Sequence, residues 1–256
     1  MANDLSAAEA WTAQQRFIGV ITPSGNTVVE RITLGILRDL PAVSAHFSRT
    51  PVFGSSDPSP DRYAHEGPLA AATLLAHMKP DVIVWNGSKG ATIGFAHDAA
   101  LAEAISAATG IAATTSILGL KTVLAARGIT RIGVVTPYAD AGQQATLDCL
   151  AHEGYDCIAE AHAEPGDKLS DNLSYASVPL PRIAEMMRKV GAAKPQAIVS
   201  LCTNFPAAAL AAPIEAELGI PVIDSTALGV WAALNAIDAD MRSAVPRWGS
   251  LFGSMA

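Results

Sequence analysis

Cys202 ends a short apolar run in the stretch 194–206, KPQAIVSLCTNFP. A thiol between a strand and a helix start can act as acid, base or nucleophile. Backbone N–H groups and the helix dipole at such a turn favour an anion and lower a thiol's pKa from about 8.5. Thr203 shares that turn. A similar stretch stands earlier, KPDVIVWNGSKG at 79–90. Lys79-Pro80 aligns with Lys194-Pro195, Ile83-Val84 with Ile198-Val199, and Gly87 takes the place of Cys202. The turn at Gly87 and Ser88 can hold an oxyanion through N–H groups and a hydroxyl, or serve only as a Gly-favoured turn. Lys89 beside it can pair with a substrate carboxylate or remain solvated. Ser24, Asn26 and Thr27 follow another apolar run, where they cap a helix or donate to a carboxylate. Tyr138 holds the matching place later in the chain, where a phenol donates to a developing oxyanion or packs. Asn172 is a further donor on a separate loop. Cys149 and Cys157 read as core or surface residues.

These residues need strands that end in turns, and the chain supplies them. Apolar runs of about five residues alternate with helical segments of 10–15, the pattern of parallel strands with crossover helices. Ile132-Gly133-Val134-Val135-Thr136-Pro137 repeats Ile18-Gly19-Val20-Ile21-Thr22-Pro23. Gly110-Ile111 before Ser116 recurs as Gly219-Ile220 before Ser225. Matches in the same order, roughly 110 residues apart, indicate an internal duplication. The expected architecture is α/β: two similar half-domains, each a short parallel sheet flanked by helices. A pseudo-twofold axis relates them, with the site in between. The boundaries are an N-terminal arm over 1–15, a first half over 16–118 plus 226–256, and a second half over 119–225. Ligands in such sheets bind beyond the strands' C-terminal ends, so loops 22–27, 86–92, 136–140 and 202–206 should converge. Ser116 and Ser225 read as helix N-caps. Residues 51–66, PVFGSSDPSPDRYAHE, read as a long loop of the kind that covers a site.

Composition narrows the function. The 256 residues are 50% hydrophobic and 16% charged, which suits a compact buried fold. The net charge of −7 argues against nucleic acid and anionic membrane as partners but leaves a small carboxylate substrate open. Homo-oligomerisation is left open. Three cysteines without CxxC spacing and six histidines without ligand spacing give no metal site and point to a reducing compartment. The first residues lack an apolar signal segment, so the expected location is cytoplasmic. No GxGxxG, P-loop, HExxH or GxSxG motif occurs, and no cofactor is expected.

Thr22-Pro23-Ser24-Gly25-Asn26-Thr27, the two strand-end sites, and Tyr138 after Val135-Thr136-Pro137 together resemble the Asp/Glu racemase superfamily. From about residue 16 the sequence looks like the branch of maleate cis-trans isomerases and arylmalonate decarboxylases. The resemblance implies cofactor-independent chemistry in a cleft between two α/β halves. Racemases and maleate isomerases carry a cysteine in each half, whereas arylmalonate decarboxylases carry a glycine and a cysteine, as Gly87 and Cys202 do here. It therefore implies a lyase: a decarboxylase of a malonate-type or related small dicarboxylic acid, with an enediolate protonated by Cys202. Ser88, Tyr138 and the N–H groups around Gly87 and Cys202 would hold the enediolate. TPSGNT looks more like the isomerases' turn, and in that branch Asn26, Tyr138 and Asn172 would match carboxylate-binding or catalytic positions. Lys89 replaces a small hydroxyl residue. Both differences suggest a polar, aliphatic diacid. The alternatives are a maleate isomerase-like or racemase-like enzyme acting on a small dicarboxylate or amino-acid derivative with Cys202 and an unconventional second group, and an inactive small-acid-binding protein.

Overall fold

A computed structural model describes residues 15–52, 65–163 and 172–253. Residues 1–14 of the expected N-terminal arm, and residues 53–64 of the long loop, lie outside the described residues.

The first half begins with β1 (Arg16–Pro23), α1 (Val29–Leu37) and β2 (Val43–Thr50). It continues through α2 (Glu66–Ala76), β3 (Val82–Trp85), the short α3 (Gly90–Ile93), α4 (Phe95–Thr109) and β4 (Ala113–Thr115), and α5 (Ser116–Ala126) then runs across the expected boundary after residue 118. The second half repeats the plan with β5 (Arg131–Val135), α6 (Asp140–His152), β6 (Asp156–Ala161), the single-turn α7 (Asn172–Tyr175) and α8 (Leu180–Gly191). Then come β7 (Ala197–Ser200), a 3-10 turn (Pro206–Leu210), α9 (Ala211–Leu218), β8 (Val222–Asp224), α10 (Ser225–Ala236) and α11 (Val245–Trp248).

Each half holds a four-stranded parallel sheet, in the orders β2-β1-β3-β4 and β6-β5-β7-β8. The two orders are the same once equivalent strands are matched. The interior strands β3 and β7 are buried at every residue, because helices cover both faces, and so they read as unbroken apolar runs. The edge strands β2 and β6 are half-buried and more polar. Lys79 and Lys194, which open the two related stretches, both adopt left-handed backbone, at φ 52° and 54°. The repeat is thus one of backbone shape as well as residue type. Gly110 and Gly219 end equivalent helices at φ 72° and 66°, where glycine is favoured.

One apolar core runs behind both sheets. Val82 and Val84 of β3, Ala197 and Val199 of β7 and Leu201 just after it belong to it, together with residues of α5 and α10. α10 and α5 pack closely, since a Cβ on Gly119 would lie 2.9 Å from Ala232 Cβ. Ile83 and Trp85 face a separate cluster on the outer side of the first sheet, and Ile198 and Cys202 one on the outer side of the second. The helix caps correct the sequence reading by one residue. Thr115 accepts from Leu118 N at 3.0 Å, and Asp224 accepts from the N–H groups of Thr226 and Ala227 at 2.9 and 3.0 Å. Ser116 and Ser225 are the first helical residues. No helix among the described residues is long and apolar enough to cross a membrane.

Candidate active site

The turns after β1, β3, β5 and β7 meet through two reciprocal bridges. Asn26 Nδ2 in the first half donates to Thr203 Oγ1 in the second at 3.2 Å. Ser88 Oγ in the first half lies 3.4 Å from Tyr138 Oη in the second. Each bridge joins the turn after a β1-type strand to the turn after a β3-type strand of the other half, as a pseudo-twofold axis requires. Asn204 Oδ1 adds a third link by accepting from Thr27 N at 2.9 Å.

Cys202 stands among these links, buried, with backbone φ of 105°. A non-glycine residue in that region carries strain of order 1–3 kcal/mol and persists only where its surroundings enforce it. Burial pushes its thiol up to about 12, and the buried carboxyl of Asp224 adds to the effect. The N–H groups of Asn204 and Phe205 and the Tyr138 hydroxyl oppose it in part. This reverses the lowered pKa read from the sequence. The helix start after Cys202 is a 3-10 turn opened by Pro206, which has no N–H, and full burial penalises the thiolate more than the remaining donors favour it. The resting group is a protonated thiol.

The other candidates fall into distinct places. Ser88 and Thr203, each one end of a bridge, are buried. Gly87 is buried at the position equivalent to Cys202, and its φ lies outside the left-handed region. Asn26 is almost fully employed: its Oδ1 accepts from Val28 N and Val29 N, both at 2.8 Å, so it caps α1 while its amide reaches Thr203. Tyr138 is half-buried and packs edge-on against Tyr175. Lys89 is half-buried and forms no ion pair with any described residue. Ser24 points away from this cluster; its hydroxyl bonds the backbone at Val52, and Arg49 fastens its carbonyl. Asn172 begins α7, and its side chain lies outside the described residues. Cys149 and Cys157 lie apart, half-buried, with thiols raised by burial. Among the described residues no group of three or more His, Cys, Asp or Glu could hold a metal ion.

Several polar residues that build the site were not singled out from the sequence. Asn86 donates to Thr226 O at 3.1 Å and accepts from Ser116 Oγ at 3.1 Å, while Thr226 Oγ1 donates to Thr203 O at 3.0 Å. These bonds lock both turns onto α5 and α10. Asn86 alone carried a signal, as an amide at the end of an apolar strand. Asp224 is buried and carries a carboxyl raised to about 7 by desolvation, with Oδ2 lacking a hydrogen-bond partner.

The geometry thus sets one buried thiol, a phenol and two hydroxyls around the junction of two like halves, with Lys89 next in sequence to Ser88. A family model described as arylmalonate decarboxylase matches residues 69–252. Among solved structures, the maleate isomerase Iso from Pseudomonas putida S16 is 23% identical, with 94% of this chain and 99% of that one covered and a TM-score of 0.82. The Nocardia farcinica maleate cis-trans isomerase bound to TRIS is 24% identical, covering 93% and 97% at a TM-score of 0.80. An arylmalonate decarboxylase is 22% identical, covering 92% and 98% at a TM-score of 0.71. No curated protein matches the chain.

Proposed function

This chain belongs to the arylmalonate decarboxylase family, and on that premise we propose that it is a cofactor-independent decarboxylase of a malonate-type or related small dicarboxylic acid. The observation that carries the reading is a single buried thiol, held protonated, opposite a glycine. Decarboxylation needs one acid on one face, since CO2 leaves from the other. Two-base isomerisation needs a partner that Gly87 does not provide.

In this reading the bond from Cα to one carboxylate breaks and CO2 departs. The electron pair passes into the remaining carboxylate as an enediolate. Ser88, Tyr138 and the N–H groups at the Cys202 turn stabilise that charge; a donor of this kind is worth roughly 3–4 kcal/mol. The S–H of Cys202 protonates Cα, and the thiolate recovers its proton from solvent. A thiol near pKa 12 suits this step, because it stays protonated until a strongly basic carbon forms beside it. Lys89, without an ion pair among the described residues, is the cation available to a second acidic group, which favours a polar diacid over an aryl one.

Two of the similar structures bear on the choice. One is a mutant arylmalonate decarboxylase with glycine changed to cysteine and cysteine to serine, so that enzyme natively carries a glycine and a cysteine at those places, the residue types that stand at 87 and 202 here. Another is a Nocardia farcinica maleate isomerase lacking one cysteine yet bearing a succinylcysteine, so that enzyme uses a further cysteine. The polar TPSGNT turn keeps isomerase activity as the second reading. The test is CO2 release from 2-substituted malonates set against conversion of maleate to fumarate. Fumarate formation without CO2 release sinks the decarboxylase reading.

A further inference from the structure

The two strand-end positions carry the reverse of what their backbones ask for. Cys202 sits at φ 105°, where glycine is expected, while Gly87 has no positive φ and so no backbone need for glycine. What Gly87 answers to is space. A Cβ built on it would overlap Cε2 and Cζ2 of Trp85 and lie 2.7 Å from its Nε1, closer than side-chain carbons approach. The indole ring therefore fills the space a side chain at position 87 would enter.

Strand equivalence makes this informative. Trp85 pairs with Ile21 and Thr115, and Ser200 pairs with Val135 and Asp224, so Trp85 and Ser200 occupy the same place in the two sheets. Two residues on stand Gly87 and Cys202. In the second half a small Ser200 leaves room for the Cys202 side chain. In the first half atoms of the large Trp85 stand where a Cβ at position 87 would lie, and that position carries no side chain. Both Trp85 and Ser200 are buried, so neither can swing away into water. Bulk has been exchanged along the strand.

We propose that Trp85 determines the one-sidedness of the site: its ring occupies the volume that a second acid–base side chain at position 87 would need, leaving Cys202 to protonate from one face alone. The proposal rests on Cys202 being the proton donor. It makes Trp85 a positioning and stereochemical determinant that touches no reacting atom. It also means that a cysteine at 87 is excluded by packing until Trp85 is reduced in size.

The test is a double-mutant cycle with Gly87→Ala and Trp85→Leu, leucine being chosen to keep apolar contact with Ile21 and Leu101. Gly87→Ala should lower the melting temperature by about 5 °C or more beside Trp85 and change it little in the Trp85→Leu background. Equal shifts in both backgrounds overturn the proposal, and this arm needs no substrate. A second arm compares Gly87→Cys with Trp85→Leu/Gly87→Cys for α-deuterium exchange and racemisation of a chiral 2-substituted acid in D2O. The double variant should exchange at least about tenfold faster, while equal exchange in the two overturns the proposal. Full activity in Cys202→Ala would instead remove the proton-donor reading, leaving the cycle to decide the space at 87 by itself.

Discussion

At the scale of single residues, Cys202 combines a strained backbone with a suppressed ionisation. A glycine there loses the thiol and relieves the strain, whereas alanine loses the thiol and keeps it. Cys202→Gly should therefore be more stable than Cys202→Ala by about 1 kcal/mol in chemical denaturation, despite glycine's greater unfolded-state freedom. A more stable alanine variant would show the φ of 105° to be unstrained. The raised thiol predicts slow alkylation. At pH 8, peptide mapping after iodoacetamide should find Cys202 essentially unmodified, and rapid labelling would contradict a thiol near 12. Tyr138→Phe removes the hydroxyl shared by Ser88 and Cys202 and should lower kcat by about 10²-fold, with KM changed far less.

At the scale of elements, two buried carboxyls couple the fold to pH. Asp98 on α4 and Asp224 at the end of β8 are each raised to about 7 by desolvation, against roughly 4 in an unfolded chain. Between those values the folded state binds more protons than the unfolded one. Stability is therefore full below about pH 4 as far as these groups are concerned, and is lost as pH rises to 7. Both shifts act in the same direction, so the melting temperature should fall from pH 5 to pH 8. Asp224→Asn keeps an oxygen for the cap on α10 and should flatten that slope; an unchanged slope would mean that Asp224 ionises freely. Strand–turn–helix units were legible in the sequence, because strands buried on both faces write unbroken apolar runs, and Lys-Pro marks the starts of β3 and β7. The caps were misread by one residue, since Thr115-Ser116 and Asp224-Ser225 each offer two cap-competent side chains in succession. The thiol's pKa was misread because burial depends on what packs over a turn, which local sequence does not carry. Trp85 against Gly87 was invisible for a related reason: residues two apart along a strand share a face, but only the fold shows that the ring lies over the glycine.

At the scale of the whole molecule, two like halves share one apolar core and are tied at the site by Asn26–Thr203, Thr27–Asn204 and Ser88–Tyr138. Neither sheet keeps its inner face dry without α5 and α10. Calorimetry should therefore record one cooperative transition, and two separated transitions would show halves that fold independently. The duplication was readable from spaced repeats; the exchange of hydrogen bonds across the axis was not, because Asn26 and Thr203 are far apart in sequence and look like ordinary turn residues. The central claim is a single thiol delivering one proton to one face. Its most direct test is decarboxylation of a prochiral 2,2-disubstituted malonate in D2O, following CO2 and the enantiomeric composition of the deuterated product. CO2 release with one enantiomer formed is expected, and a rate at least about 10²-fold lower in Cys202→Ala. A racemic product, or full activity in Cys202→Ala, would contradict it.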